Sequence, residues 1–333
     1  MPRRLAYFAY YLRRLDRARL AAFMAYLQRE KGWSRRGQWA RILRDSLRYN
    51  ISILEYYQFR FFELSSEEKA KWAGTGTMYE FQRRANPPGA REILEDKCRF
   101  HEAYRDFFRH AVYTREALAA QPGLAEQVLQ RHDRLVFKPA RGNCGVGIAF
   151  VAAAELSAAD LVPFMTRNGY DLVEEGICQH PEMMRLSPAG VNTVRIFTAL
   201  DAQDQCHILG CRLRISVDSE VDNMAAGNLA APVDEDTGRV TGPGVYSDIT
   251  RAPEPVHPVT GTPIEGFQIP FWPETLALAR AASLAHRQNR SIGWDIVITP
   301  DGPGLIEGNH DWCKLVWQLP VGQGLKRRLE AFA

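Results

Sequence analysis

Three oxygen-bearing side chains lie close together in the segment SIGWDIVITPDGPGLIEGNHDW, near the end of the chain. Asp295 lies in one apolar run, and Glu307 and Asn309 lie in a second run after a Pro/Gly-rich turn. If the turn is centred near Asp301, position 295 faces position 307 across a hairpin, and strand alternation puts all three side chains on one face. Like charges this close favour a bound cation, and an all-oxygen set suits Mg²⁺ or Mn²⁺. The alternative is a surface hairpin with polar ends.

A lysine precedes a glycine-rich segment in the middle of the chain. Lys138 ends an apolar strand, and Gly142, Gly145 and Gly147 follow it. Glycines let backbone N–H groups approach an anion closely and point at it together. No GK[ST] sequence follows, so this is not a P-loop. The alternative is a glycine-rich hairpin turn with a solvated lysine.

The segment DLVEEGICQHPE carries two carboxylates where an apolar strand ends. Glu174 and Glu175 follow the strand, and Ile177 comes after Gly176. The commoner interpretation is a strand that enters an exposed loop. The functional interpretation is a linker between two lobes, whose backbone could hydrogen-bond the edge of an adenine.

Arginines occur inside two apolar strands, Arg195 in VNTVRIFT and both Arg212 and Arg214 in GCRLRISV. Arginine in such a strand usually needs a carboxylate or phosphate partner. Arg212 and Arg214 share a face, which favours a positively lined cleft over an exposed sheet face. Four polar residues in or beside these strands and in two later irregular segments are candidate substrate contacts: Asn192, Asn223, Asn228 and His257.

The composition is that of an ordinary globular protein. The 333 residues are 46% hydrophobic and 24% charged, with a net charge of +3. Charge is uneven, because residues 1–50 hold thirteen Arg or Lys and three Asp or Glu. The six cysteines form no CxxC pair, which indicates a reduced, cytosolic protein. No apolar run is long enough for a transmembrane helix, and no signal-peptide cleavage site follows the start.

The pattern of elements predicts helical material followed by an α+β body. Apolar spacing predicts helices from residue 4 to about 72, and Ser65 with Glu68 predicts a capping box. The breaker NPPG is followed by a helical segment at 90–110. Short β-rich runs then occur at 134–139, 147–151, 170–177, 191–200, 206–217 and 294–299, with one clear helix at 273–289.

The order of these features resembles the ATP-grasp superfamily. A lysine precedes a glycine loop, a Glu-Glu strand exit and arginine strands follow, and Asp-x11-Glu-x-Asn comes last. The segments VNTVRIFT, DNMAAGN, HPVTG…IEGFQIPFW and IGWDIVIT…GLIEGNHDW resemble the sugar-transfer-associated family, over about residues 90–320. The resemblance implies an α+β ATP-grasp fold, with two α+β lobes sandwiching ATP. A basic helical region, 1–89, replaces the usual Rossmann-like subdomain, a small lobe with the glycine-rich loop spans 90–190, and a large lobe with the metal hairpin spans 191–333.

The resemblance also implies roles for the residues above. Lys138 and the earlier Lys97 bind phosphates, the loop 142–147 closes over the triphosphate, and Glu174, Glu175 and Ile177 lie at the adenine. Arg212 approaches the γ-phosphate or an acyl phosphate, and Arg195 or Arg214 clamps a carboxylate substrate. Asp295, Glu307 and Asn309 hold two Mg²⁺ ions, with Mn²⁺ as an alternative.

The implied activity is that of an ATP-dependent carboxylate–amine ligase that forms an amide through an acyl phosphate. Its small-molecule carboxylate and amine are expected to be sugar- or amino-acid-derived, in a polysaccharide or secondary-metabolite pathway. The alternatives are an ATP-grasp phosphotransferase acting on a hydroxyl and a nucleotide-binding regulatory protein.

The basic segment 1–50 has two interpretations. Arg13, Arg14, Arg17 and Arg19, with nearby aromatic residues, could lie on an anionic membrane surface or a carrier protein. The simpler interpretation, which we favour, is an amphipathic helix packed on the body with a solvated arginine face. No nucleic-acid recognition motif occurs. The expected location is cytoplasmic, with peripheral contact at the inner membrane face as the alternative.

Overall fold

The N-terminal part of the chain is helical. The computed structural model describes residues 2–142 and 147–332. The first six helices are α1 (Pro2–Arg13), α2 (Arg17–Lys31), α3 (Arg35–Tyr49), α4 (Glu55–Gln58), α5 (Ser66–Ala70) and α6 (Thr75–Ala85). The predicted capping box is present, since the Ser65 hydroxyl and the Glu68 carboxylate each accept a backbone N–H of the other residue.

The remainder of the chain alternates helices and strands. The helices are α7 (Pro88–Glu95), α8 (Lys97–Tyr104), α9 (Arg115–Ala120), α10 (Leu124–Arg131), α11 (Ala158–Asn168), α12 (Pro181–Leu186), α13 (Trp272–Ala285) and α14 (Lys314–Gln318). The strands are β1 (Val112–Thr114), β2 (Arg134–Lys138), β3 (Ala149–Ala152), β4 (Leu172–Glu175), β5 (Thr193–Leu200), β6 (Cys206–Ile215), β7 (Leu229–Val233), β8 (Ser291–Thr299) and β9 (Gly302–Asn309).

The smaller sheet has the strand order β1-β4-β2-β3, and all its neighbours are antiparallel. Helices α9, α10 and α11 cover one face. Leu118, Val128 and Leu161 on these helices pack with Leu135 and Phe137 of β2 in one buried cluster. This unit supplies Lys138 and Glu174 from two adjacent strands.

The larger sheet has the order β7-β6-β5-β8-β9 and is also antiparallel throughout. One face is covered by α7, α8 and α13, and Leu94, Phe100 and Tyr104 pack there with Trp294. Residues 90–104 therefore belong to the core of the larger sheet, although the sequence assigned them to the small lobe. On the opposite face, Phe197 packs against tryptophans of the C-terminal segment.

The N-terminal helices pack on the larger-sheet unit through their own core, which includes Phe23, Tyr57 and Trp72. A buried ion pair fixes this packing, because the Lys314 Nζ of α14 lies 2.9 Å from the Glu55 Oε1 of α4. Glu55 also accepts the backbone N–H groups of Ser52 and Thr75. The N-terminal region is therefore bound to the body by buried polar contacts as well as by apolar ones.

Two aromatic residues of the basic segment, Tyr11 and Phe23, are buried in this core. They are not available to enter a membrane surface, while Leu5, Tyr10 and Leu12 of α1 are exposed. In the described part of the chain, no helix is both long and apolar enough to cross a bilayer. Contact of residues 1–50 with a membrane or carrier protein stays a prediction.

Candidate functional site

A cleft of about 540 Å³ lies between the two sheets. Its volume is in the range typical of small-molecule sites. Twelve of the candidate site residues predicted from the sequence line it: Lys97, Lys138, Gly142, Glu174, Glu175, Ile177, Arg195, Arg214, Asn223, Asp295, Glu307 and Asn309. The topology thus brings together side chains from α8, from β2 and β4 of the smaller sheet, and from four strands of the larger one.

The hairpin β8–β9 pairs Asp295 with Glu307, as expected, but for a different reason. The prediction placed the turn centre near Asp301. In the structure the turn has two residues, because Thr299 pairs with Gly302, and this register continues to the pair Ile296 and Leu305. One extra residue then enters β9 as a bulge before Glu307. That bulge shifts the register by one position, so that Asp295 and Glu307 become direct partners and Asn309 lies two pairs further along, opposite Gly293.

Asp295 is neutralised by arginines from the two neighbouring strands. Arg195 of β5 donates to both carboxylate oxygens, each at 2.6 Å, and the Arg214 Nη1 of β6 lies 2.9 Å from Oδ2. Arg214 also pairs with Asp222 at 2.7 Å. Burial by itself would raise the pKa of Asp295, but Arg195 and Arg214 hold it below its ordinary value. The arginines expected to clamp a substrate carboxylate are therefore engaged with carboxylates of the chain itself.

Glu307 has the opposite environment. It lines the cleft without a hydrogen bond or ion pair to any described residue. Burial raises its pKa, and the nearby charge of Asp295 raises it further, while Lys97 partly offsets both effects. Asn309 donates from Nδ2 to the Gly293 carbonyl at 3.3 Å, so its Oδ1 atom is available. A carboxylate without a partner beside a carboxamide oxygen fits a hard divalent cation.

The donor set is small. Across residues 2–142 and 147–332, no three His, Cys, Asp or Glu side chains are grouped so that they could hold a metal ion. Within the hairpin strands, the oxygens open to a cation are those of Glu307 and Asn309, with Asp295 beside them but bound to arginines. Such a set leaves most of the coordination shell to phosphates and water, which is the usual arrangement for Mg²⁺.

Two lysines lie near Glu307 of this hairpin, Lys97 on α8 and Lys138 on β2 of the smaller sheet. The Lys138 Nζ lies 2.5 Å from the Glu174 Oε2, and the His110 Nε2 lies 3.3 Å from the same oxygen. Burial would raise the pKa of Glu174, but Lys138 and His110 more than offset it and lower that pKa to about 2. The Lys97 Nζ donates to the Gly142 carbonyl at 2.7 Å. Burial lowers the pKa of Lys97, and Glu307 partly opposes this shift.

Replacing Glu174 by glutamine is expected to lower the free energy of unfolding near neutral pH by about 1–3 kcal/mol, because Lys138 loses its buried anion. The pKa of Glu174 is lower in the folded chain than in the unfolded chain. Its stabilisation is therefore complete above the ordinary glutamate value and is lost as the pH falls through that value towards 2. Urea unfolding at pH 6 and at pH 3.5 should show the gap between variant and wild type shrinking at the lower pH.

The control for that measurement is Glu182→Gln. Glu182 is exposed and pairs with Arg185, and its pKa is also lowered. Because its charge is screened by water, its replacement should leave stability nearly unchanged at both pH values. An equal effect of the two substitutions would contradict the assignment of Glu174 as a buried ion-pair partner.

The strand exit at the smaller sheet lies at the edge of the cleft. Glu175, Gly176 and Ile177 line the cleft at the end of β4. The Glu175 Oε2 lies 2.9 Å from the His132 Nδ1, and the Glu175 backbone N–H donates to the Ala111 carbonyl. Of the glycine segment, Gly142 lines the cleft and Gly147 packs near Pro139, while Gly145 lies outside the described residues.

Four predicted contacts do not line the cleft and have structural partners instead. Asn192 donates to the Ser187 carbonyl at 2.8 Å, and Asn228 donates to the Val221 carbonyl at 2.7 Å. His257 is buried, with Nε2 2.8 Å from the Ser216 carbonyl. Arg212 is buried and donates from Nε to the Trp317 carbonyl at 3.0 Å, and burial lowers its pKa to about 10. Arg212 therefore does not line the cleft, although it shares its sheet face with Arg214, and its predicted approach to a γ-phosphate stays a prediction.

Sequence reasoning did not single out several residues that line or support the cleft. Asp222 anchors Arg214, and His110 supports Glu174. Arg134 and Glu220 form an exposed ion pair that joins the smaller sheet to a loop of the larger unit. Arg19, which the sequence analysis considered only for a membrane or carrier surface, reaches the cleft from α2. Only Asp222, next to Asn223 in a segment that breaks the strand pattern, carried a usable signal, because the others resemble ordinary charged surface residues.

The sequence pattern of the family described as sugar-transfer associated ATP-grasp matches residues 77–333. A comparison with curated proteins gave no significant match. Among solved structures, the chain is similar to a RimK domain ATP-grasp protein from Sphaerobacter thermophilus, at 13% identity and a TM-score of 0.40, over 72% of this chain and 68% of that one. It is also similar to D-cycloserine synthetase, at 14% identity and a TM-score of 0.39, over 84% and 82% of the two chains.

A third similar structure is D-alanyl-alanine synthetase A from Vibrio cholerae, at 12% identity and a TM-score of 0.39. That match covers 67% of this chain and 56% of the synthetase, so the chain spans little more than half of that protein's length.

Proposed function

Since this chain belongs to the sugar-transfer associated ATP-grasp family, we propose that it is an ATP-dependent ligase that joins a carboxylate to an amine through an acyl phosphate. The observation that carries the proposal is the cleft itself. Lys97 of α8 and Lys138 of β2 line it together with Glu307 and Asn309 of β9. Two cations near a pair of free oxygen donors suit a metal-bound polyphosphate.

In this proposal the nucleotide lies with its base at the end of β4. The backbone of Glu175 and Ile177 would meet the adenine edge, and apolar Val136, Ile148 and Phe150 would contact the ring, since all line the same cleft. Lys97 and Lys138 would bind the phosphates. The Lys97 contact with the Gly142 carbonyl supports a phosphate position next to the glycine segment.

Glu307 and Asn309 would hold Mg²⁺, with Asp295 beside them and Mn²⁺ as an alternative ion. When bound, the ion would supply charge neutralisation of the phosphates and of the transferring phosphoryl group. The pairing of Asp295 with Arg195 and Arg214 keeps the remaining carboxylate of the hairpin in place. By analogy with the family, two such ions would be held by these residues.

The proposed reaction has two steps, phosphorylation of the carboxylate and attack by the amine. A carboxylate oxygen of the substrate attacks the γ-phosphorus of ATP, the bond between that phosphorus and the β–γ bridging oxygen breaks, and ADP leaves. The amine then attacks the acyl carbon, inorganic phosphate leaves, and the nitrogen gives up a proton. We propose sugar- or amino-acid-derived substrates, in a polysaccharide or secondary-metabolite pathway.

The test is the release of ADP by the full chain with Mg²⁺ and ATP, measured across amino acids and acidic sugars with and without amine acceptors. Release that requires both a carboxylate and an amine, with equimolar phosphate and a condensed product in the mass spectrum, is the expected result. A stable phosphorylated acceptor would instead establish the phosphotransferase alternative. ATP turnover that ignores both substrates would also contradict ligation.

Lys97→Met provides the matched variant for this assay. Loss of a cation that binds phosphate should raise the ATP concentration for half-maximal turnover about tenfold or more. Lys71→Met is the control, because Lys71 is exposed and lies outside the cleft. If Lys97→Met and Lys71→Met had the same ATP requirement and turnover, Lys97 would not be a nucleotide-binding residue.

A further inference from the structure

The cleft is lined by four described arginines, and three of them already have carboxylate partners. Arg195 is paired with Asp295, Arg214 with both Asp295 and Asp222, and Arg134 with Glu220. Each of these arginines already directs N–H donors at a carboxylate of the chain, so each is a weaker site for a substrate carboxylate than an arginine without an ion pair would be. The cation that receives the substrate's carboxylate must therefore be sought elsewhere.

Arg19 is the fourth arginine, and its situation differs. It is half-buried and has no ion pair with any described acidic residue. Its Nη2 donates to the Ser247 hydroxyl at 3.0 Å, and its guanidinium lies 5.9 Å from the centre of the Phe23 ring. These contacts orient the planar group and leave its charge and most of its N–H donors open to the cleft.

The position of Arg19 is fixed from two sides. The Gln58 Nε2 of α4 donates to the Ser247 carbonyl at 3.2 Å, so the helical region holds both Ser247 and the arginine that contacts it. The Ser247 hydroxyl lies 3.4 Å from the carbonyl of Met224, which follows Asp222 and Asn223. Since Asp222 binds Arg214, a chain of contacts leads from Arg19 to Asp295.

Arg19 therefore belongs to the part of the cleft that lies on the larger sheet, away from the proposed adenine position at β4. Asn223, Met224 and Ala225 line this part from one side, and Leu315 and Val316 line it from the other. One free guanidinium among polar and apolar surfaces is typical of a site for a small organic anion.

We propose that Arg19 binds the carboxylate of a small organic substrate, and that the helical region before the family match supplies specificity to the reaction. This inference rests on the ligase function proposed above. It assigns the substrate an anionic group, and it gives residues outside 77–333 a direct place in the site. Arg19 would act by binding and orientation, without contact with the phosphates.

The test uses the full chain and ADP release with Mg²⁺-ATP and an equimolar mixture of amino acids and uronic acids. Arg19→Gln removes the charge but keeps a donor for Ser247, and Arg19→Lys keeps the charge but loses the planar fork. Arg19→Gln should raise the acid concentration for half-maximal release about ten- to hundredfold, with the ATP requirement and the thermal midpoint unchanged. Arg19→Lys should lie between this variant and the wild type.

Arg17→Gln is the control, because Arg17 lies on the same helix, is exposed and does not line the cleft. An unchanged acid requirement in Arg19→Gln would overturn the inference. A loss shared by Arg17→Gln, or one that follows a lowered thermal midpoint, would overturn it equally.

If the wild type shows no acid-dependent ADP release, the ligase function fails, and a second measurement judges Arg19 separately. Phenylglyoxal modifies accessible guanidinium groups, and peptide mass spectrometry reports the rate at each arginine. Glucuronate or glutamate should slow modification of Arg19 and leave Arg17 unaffected. Equal rates with and without these acids would overturn the assignment.

Discussion

Asp295→Asn is expected to lower the free energy of unfolding by about 3–5 kcal/mol, the largest stability loss for any single change in the cleft. The carboxylate is buried and accepts charge-assisted hydrogen bonds from both Arg195 and Arg214. An amide cannot neutralise either guanidinium, so Arg195 would become a buried, unpaired cation. Urea unfolding of the full chain at neutral pH measures the difference.

Asp301→Asn is the control for this substitution. Asp301 lies in the turn of the same hairpin and is exposed, so its change should stay within about 0.5 kcal/mol of the wild type. If Asp295→Asn unfolded like this control, the arginines of β5 and β6 would have to be stabilised by something other than Asp295.

Glu307→Gln is expected to separate stability from activity. Burial raises the pKa of this carboxylate, and nearby cations such as Lys97 offset that only in part, without a direct ion pair, so glutamine should keep stability or raise it by up to about 1 kcal/mol. Turnover of Mg²⁺-ATP should nevertheless fall about 100- to 1000-fold, because the oxygen donor proposed to hold the ion is lost. Urea unfolding and ADP release on the same preparation measure both quantities.

A metal titration sharpens this prediction. The thermal midpoint of the wild type with ADP should rise on addition of Mg²⁺, and that rise should be absent in Glu307→Gln. Glu265→Gln, an exposed carboxylate outside the cleft, should behave like the wild type. A full Mg²⁺ response in Glu307→Gln would show that the ion is held elsewhere.

The alternation of side chains along the strands of the hairpin β8–β9 could be predicted from the sequence, but the bulge in β9 could not. The strand pattern was enough to predict that Asp295, Glu307 and Asn309 share a face, and the structure has them lining one cleft. The sequence did not indicate the bulge in β9, because an extra residue inside an apolar run leaves no compositional trace. The prediction that 295 pairs with 307 assumed a turn centred near Asp301 and no bulge. The structure forms the same pair with a two-residue turn and one bulge.

The ion-pair partners of the arginines around the hairpin could not be predicted from the sequence. Arginine strands predicted a need for anionic partners, but the partner of Arg195 lies 100 positions further along the chain. Local spacing cannot identify a partner at that separation, so an external ligand was inferred. The structural contacts of Asn192, Asn228 and His257 were not predicted for a related reason. Their hydrogen-bond acceptors are backbone carbonyls, and because every residue has one, the sequence does not show which carbonyl a side chain will contact.

The buried contact between Glu55 and Lys314 gives the chain a folding boundary that differs from its family boundary. The family match begins at residue 77, after α4 and α5. A chain cut there would leave the Lys314 ammonium in the interior without its anion and would expose the apolar face on which the helices rest. We therefore expect residues 77–333 not to fold autonomously, because their stability depends on contacts with the helices that precede them.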